Sequence, residues 1–390
     1  MAYISSNANR FYTALESAYG NVATITASSR IPAVKLTVKN HPDVTSRKDK
    51  TGSRTFPGLP AGGRRRTAFE LQTFLTSWQK SGGGDPAYGP LFQAALGAVP
   101  QQFAGGTVAE AASPGQLAFA SAHGLSVGQG VSSGGEVRFV SAIVDVNTVQ
   151  LNVPFAAPPA TGTALGASVT YTPTTELPSA SIFDYWDPVT AVQRLLSGVA
   201  VDQLEILVNG DFHEFHFSGM AQDIVDSSSY AGQVADAETF PAEPAVEGFD
   251  YSIVPGNLGQ AWMGSTPTQF FTIASASLVL KNNLDLRMKE FGSNLARCIA
   301  PGQRTVTAAF DLYSQDDVAT AALYQAARQQ SPVSVMFQLG EVEGQVMAVL
   351  LSSMIPEVPE FNDGKNRLQW QFRPSRAQGT VNNEITVAFG

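Results

Sequence analysis

Four histidines and one cysteine are the only imidazoles and the only thiol in this 390-residue sequence, so the chemistry it can host is narrow. His213 and His216 bracket Glu214 and Phe215 and suggest a metal pair at first sight. On a strand, however, residues three apart point to opposite faces. Gly128-Gln129-Gly130 with Gly134-Gly135 is glycine-rich, yet no helical pattern follows that would present amides to a phosphate, so these read as turn glycines. Arg64-Arg65-Arg66 reads as an exposed strand start or a subunit contact rather than a phosphate site. Asp184 and Asp187 flank Tyr185-Trp186 without a further histidine or carboxylate signalled nearby. Cys298, alone, excludes an intrachain disulfide and a thiolate cluster and reads as a small buried residue. No Ser/His/Asp or Cys/His set can be assembled. The sequence argues for no catalysis, no metal and no cofactor.

The elements that must carry these residues are mostly strands. Phe11, Leu15 and Tyr19 at i, i+4, i+8 predict a short amphipathic helix over 9–19, stopped by Gly20. A strand is expected over 34–39, then a long polar loop over 41–61 holding Arg47, Lys48, Lys50 and Arg54. A second strand over 67–73 sets Thr67, Phe69 and Leu71 on one side, with Ala68 and Glu70 on the other. A helix is expected over 85–96, with Asp85 as N-cap and Pro86 in its first turn. Runs at 193–196, 203–208 and 212–217 form a meander, with Asn209-Gly210 as the hairpin turn.

Much of this is written twice. Pro60 to Leu71 aligns without a gap on Pro301 to Leu312, and Leu36-Thr37-Val38-Lys39-Asn40 matches Leu278-Val279-Leu280-Lys281-Asn282. Leu91-Phe92-Gln93-Ala94-Ala95 matches Leu323-Tyr324-Gln325-Ala326-Ala327. Leu195-Leu196-Ser197 falls on Leu350-Leu351-Ser352, and Phe215-His216-Phe217 on Trp370-Gln371-Phe372. Matches in one order mean a duplicated domain. The copies of His213 and His216 are Leu368 and Gln371, which are not ligands, and only Arg304 keeps a charge of the Arg64–Arg66 run.

The expected organisation is a first domain over 1–105 and 183–222, an inserted small β domain over 106–182, an acidic linker or arm over 223–265, and a second domain over 266–390. The insert shows short alternating runs at 117–120, 124–128, 136–140 and 149–153. The second copy lacks it, so the shared domain is not expected to need it.

Charge is uneven. Residues 1–105 hold 12 Lys and Arg against 5 Asp and Glu, residues 106–270 hold 2 against 17, and residues 271–390 hold 10 against 11. The net charge of −9 has the wrong sign for a nucleic-acid binder but suits complementary patches on neighbouring copies. No apolar run approaches the ~20 residues that span a bilayer, and the first residues lack a secretory pattern.

Residues 9–12, 16–20 and 31–36, with the second-copy runs 278–282, 301–304 and 307–310, resemble tail tube proteins of long-tailed bacteriophages. The resemblance covers about 1–105 and 183–390. It implies a mainly β fold, with two tandem β-sandwich domains that each carry a flanking helix and close into a β-barrel ring on oligomerisation. It further implies homotrimeric rings of pseudo-six-fold symmetry that stack into a tube in the virion tail and are assembled in the host cytoplasm. Tail terminator, tape measure and baseplate proteins would be partners, and DNA would pass through without specific binding. No membrane partner is implied. The basic loop Arg47, Lys48, Lys50 and Arg54, with its second-copy counterpart Arg287, Lys289 and Arg297, is expected to join one ring to the next, and the insert to project outward. Other tail ring components (a terminator or a baseplate ring) and a carbohydrate-binding β protein are the alternatives. The four scattered tryptophans argue against the last.

Overall fold

The computed structural model describes residues 3–42, 50–55, 63–78, 85–110, 113, 115–228, 230, 239–245, 252–364 and 366–390. Helices Gly89–Leu96 and Val318–Gln329 are embedded in a mainly β architecture. An inner sheet runs in the order Ala33–Pro42, Arg65–Phe74, Glu214–Ala221, Arg194–Val208, Ile273–Lys281, Thr305–Tyr313, Gln369–Gln378 and Glu360–Asn362, every pair antiparallel. Alternation aims one face of each strand into the core. Phe69, Leu71, Phe215, Phe217, Leu204, Ile206, Leu278 and Leu280 are all buried.

Two smaller outer sheets repeat one topology. In the first half, Asn9–Leu15, Ala180–Trp186, Arg194–Val208 and Asp223–Asp226 pair in that order. In the second, Gly259–Gly264, Val333–Leu339, Met347–Met354 and Thr386–Phe389 do the same. The long strand Arg194–Val208 serves both its outer sheet and the inner one. It turns between them at a bulge at Asp202, where the register with Glu214–Ala221 shifts. Nearby, the buried Glu16 carboxylate accepts hydrogen bonds from Ser179 Oγ (2.6 Å), Ser181 Oγ (2.8 Å), Gly20 N (2.8 Å) and Gly198 N (2.8 Å).

Helix α1 (Gly89–Leu96) is wedged between the halves. Phe92 lies 5.3 Å, centroid to centroid, from each of Phe215, Phe217 and Phe389. Helix α2 (Val318–Gln329) is capped by Asp317, which accepts from Thr320 N at 2.8 Å, and it buries only Thr320, Leu323 and Ala327.

Several expectations change. Residues 9–15 are a strand rather than a helix, because Phe11-Tyr12-Thr13 is β-prone and both of its faces are covered. Helix α1 begins at Gly89 after Tyr88, and Asp85 instead accepts from Gln102 Nε2 at 3.2 Å. Residues 124–128 form no strand. Asp223–Asp226 and Gly259–Gly264, both inside the stretch read as linker, are sheet strands. The boundary expected at 182 falls within Ala180–Trp186, and Ser168–Tyr171, inside the expected insert, pairs with Thr386–Phe389.

The aligned repeats are also offset in space. Leu71 pairs with Phe217, whereas its match Leu312 pairs with Trp370, two residues short of Phe372. A two-residue slide keeps every side chain on its face, so the alternation does not reveal it.

The matching outer faces of the two halves have different covers. On the first, residues 239–245 form a strap. Phe240 packs on Tyr185 and Tyr230, Tyr185 Oη donates to Pro241 O (3.0 Å), and Tyr12 Oη donates to Glu243 (2.7 Å). On the second, Val137, Phe139 and Val153 of the insert pack with Trp262, Met336, Ala348 and Ala388.

Candidate functional site

The surfaces free to meet another chain begin with the inner sheet. Among the described residues, the outer edges of Ala33–Pro42 and of Glu360–Asn362 have no strand partner. Unpaired edges are templates for strand addition. The face of this sheet away from the core is polar. Glu205, His216 and Gln72 lie on one cross-strand row. The His216 ring lies 3.0 Å from Glu214 and 3.8 Å from Glu205, and Gln72 Nε2 donates to Glu214 at 2.9 Å. Asp311 accepts from Ser275 Oγ (3.2 Å), and Glu360 pairs with Arg373.

His213 is buried beneath this region. It precedes the strand Glu214–Ala221, and its Nε2 is hydrogen-bonded with Leu258 O at 2.9 Å. Burial holds its imidazole below the usual histidine range, so it is neutral near pH 7. Among the described residues no three His, Cys, Asp or Glu side chains gather as a metal site.

The expected contact loops are only partly described. Arg47 and Lys48 lie outside the described residues, and Lys50 and Arg54 are exposed. In the second loop Arg287 and Arg297 converge on Glu290, at 3.6 and 3.7 Å, and Lys289 is exposed. This loop rests on the first half of its own chain. Arg64 Nη2 donates to Glu290 O (3.4 Å), Arg65 N to Asn294 O (3.1 Å) and Gln222 Nε2 to Ala296 O (2.9 Å). Arg64, Arg66, Arg287 and Lys289 share a concavity of about 750 Å³ with Asp285 and Glu290.

The two basic groups of the acidic central stretch, Arg138 and Arg194, are structural. Arg194 pairs with the buried Asp184, and Arg138 is 0% exposed. Arg138 donates to Gln338 Oε1 (3.0 Å), Gln260 Oε1 (3.0 Å) and Pro154 O (2.9 Å), and lies between the rings of Phe155 and Trp262. It therefore fastens the insert to the second half. Sequence reasoning missed it, although a lone arginine in the apolar run Val137-Arg138-Phe139-Val140 is the kind of signal that marks a buried anchor.

The profile of the family described as "Phage tail tube protein" matches residues 7–390, nearly the whole chain. The chain belongs to the phage tail tube protein family. A solved structure of the SPP1 tail tube, by solid-state NMR and cryo-EM, is similar over 33% of this chain and 81% of that one, at 12% identity and a TM-score of 0.27. No curated protein is similar enough to be counted as a relative. As a tail tube protein, the chain is a structural component of the virion tail, and its family self-assembles into a tube. Among the described residues of this tube protein, no helix is long and apolar enough to cross a membrane.

Proposed function

We propose that this chain holds two copies of one tube domain, and that three chains close into a pseudo-six-fold ring that stacks into the tail tube of a long-tailed phage. The supporting observation is the internal junction. Strand Arg194–Val208 of the first half pairs with Ile273–Lys281 of the second, which joins the halves into one open sheet. A sheet with two free edges is completed by adding further copies until it closes, and closure removes the edges. The polar outer face, with Glu70, Glu205, Glu214, Asp311 and Glu360 set beside Lys35, Lys39, Lys281 and Arg373, would then line the wall along which the genome slides to the host. The loops around Arg47, Lys48, Lys50 and Arg54, and around Arg287, Lys289 and Arg297, would bridge stacked rings. A terminator, a tape measure and a baseplate would meet the tube during assembly in the host cytoplasm. Electron micrographs of the purified protein test the reading. Rings or tubes with three chains per layer are expected, and six full chains per layer would overturn the count.

A further inference from the structure

The two halves of the chain meet at a strand pair whose parts recur at the free edges. Within the chain, residues 203–208 pair with 276–281, placing Glu205 opposite Val279, Ile206 opposite Leu278 and Leu207 opposite Ser277. Just past that strand, Asn282 is 3% exposed. Its Nδ2 donates to Ala95 O at the end of α1 (2.9 Å) and to Val201 O (3.0 Å).

Every participant has a sequence match on the free edges. Leu278–Asn282 corresponds to Leu36–Asn40, and Leu91–Ala95 of α1 to Leu323–Ala327 of α2. Glu205 and Ile206 pair with His216 and Phe215, as Glu360 and Phe361 pair with Gln371 and Trp370, so Glu360–Asn362 takes the place of 205–207 and, at the same offset, Pro356 that of Val201.

The matched positions are covered at the internal junction and open at the free edges. Ile206 is 1% exposed, but its counterpart Phe361 is 57% exposed, stacked on Trp370 at 5.5 Å. Asn282 is buried, whereas Asn40 is exposed. Phe92 is sealed inside the core, whereas its match Tyr324 is half-buried against Phe361 and Trp370.

We propose that the edge Glu360–Asn362 receives strand Ala33–Pro42 of a second copy of this chain, with Glu360 opposite Thr37 and Phe361 opposite Leu36, and with Asn40 seated against Ala327 O and Pro356 O. This rests on the ring reading above and specifies its contact. Charge agrees with the register. Glu360 then falls between Lys35 and Lys39, which share its face on either side of Thr37.

Cysteine pairs test the register, since opposed strand residues bring their Cβ atoms to roughly 4.5–5.5 Å. In a C298S background, oxidised T37C/E360C should run as reductant-sensitive covalent oligomers, and neither single variant should. K39C/E360C reports the register slid by two residues. Rings in micrographs with no T37C/E360C bond, or with K39C/E360C bonding in its place, would overturn this contact while leaving the rings standing. An absence of rings in the unsubstituted protein would overturn the ring reading itself. N40A and N282A supply a second measurement. N40A should keep the wild-type Tm but need at least ten-fold more protein to assemble, whereas N282A should lower the Tm. Wild-type assembly by N40A would remove the seat assigned to Asn40.

Discussion

Arg10 grips Glu243 with two parallel hydrogen bonds, Nε to Oε1 at 2.5 Å and Nη2 to Oε2 at 2.6 Å, across 233 residues of chain. The pair holds the strap 239–245 over the aromatic face formed by Tyr12, Phe183 and Tyr185. Burial alone would raise the Glu243 carboxyl, but the hydrogen bonds from Arg10 and Tyr12 outweigh it and hold the group below its ordinary 4.5. A depressed carboxylate gives its full attachment above 4.5 and loses it as pH falls through the bound value. Amide protection factors in 239–245, taken relative to the intrinsic exchange rate at each pH, should therefore be high at pH 7 and fall below pH 4.5, and E243Q should have low ones already at pH 7. Equal protection in E243Q and wild type would show that Phe240 and Pro241 alone secure the strap.

Glu16 should be among the most sensitive positions. Its four donors come from three separate segments, and a neutral amide in its place meets them with an NH₂ group that cannot accept. E16Q should cost about 3 kcal/mol, measured by chemical denaturation. A change below about 1 kcal/mol would mean that the donors find water instead.

Arg138 should matter for stability rather than for assembly contacts. Removing a buried, multiply bonded charge leaves Glu136, Gln260 and Gln338 short of partners, at about 3–5 kcal/mol. R138A should lower the Tm sharply, and R138K should recover only part of it, because an ammonium cannot reproduce the planar fork. A wild-type Tm in R138A would mean that the insert docks through Val137 and Phe139 alone.

Excising residues 107–165 spares Ser168–Tyr171 and Ala180–Trp186 but uncovers Trp262 and Met336. The shortened protein should bind a hydrophobic dye and aggregate unless Trp262 and Met336 are also made polar. Soluble, dye-negative protein from the simple deletion would show that the insert is dispensable as a cover.

Reversing Arg47, Lys48, Lys50 and Arg54 to glutamate should leave rings while abolishing stacks. Single exposed ion pairs contribute only about 0.2–1 kcal/mol, but in the proposed ring the contact would repeat around each layer. Tubes of normal length from this variant would place the inter-ring contact elsewhere.

Strand alternation made most of the inner sheet legible. The buried sets Thr67, Phe69, Leu71 and Phe215, Phe217 follow directly from period two. The run 9–15 was misread because a strand covered on both faces loses its polar alternation, so the spacing of Phe11 and Leu15 mimicked a helix. Asn282 and Asn40 were visible as matched letters, but their unequal burial is a tertiary fact about which half has a neighbour. The part played by Arg138 was hidden because its partners Gln260 and Gln338 lie more than a hundred residues away.

The strand Arg194–Val208 runs unbroken through both sheets of the first half. In the second half the matching path is cut between Met347–Met354 and Glu360–Asn362, where Pro356 and Pro359 lack the N–H groups a ladder needs. Under load the two halves are therefore unequal springs. In the first, shear between the layers must stretch a covalent backbone. In the second, it can be taken up by swivelling at residues 355–359. A bent tube should concentrate its deformation at that hinge, once per chain, and maps of curved and straight tubes should differ there before they differ at Asp202.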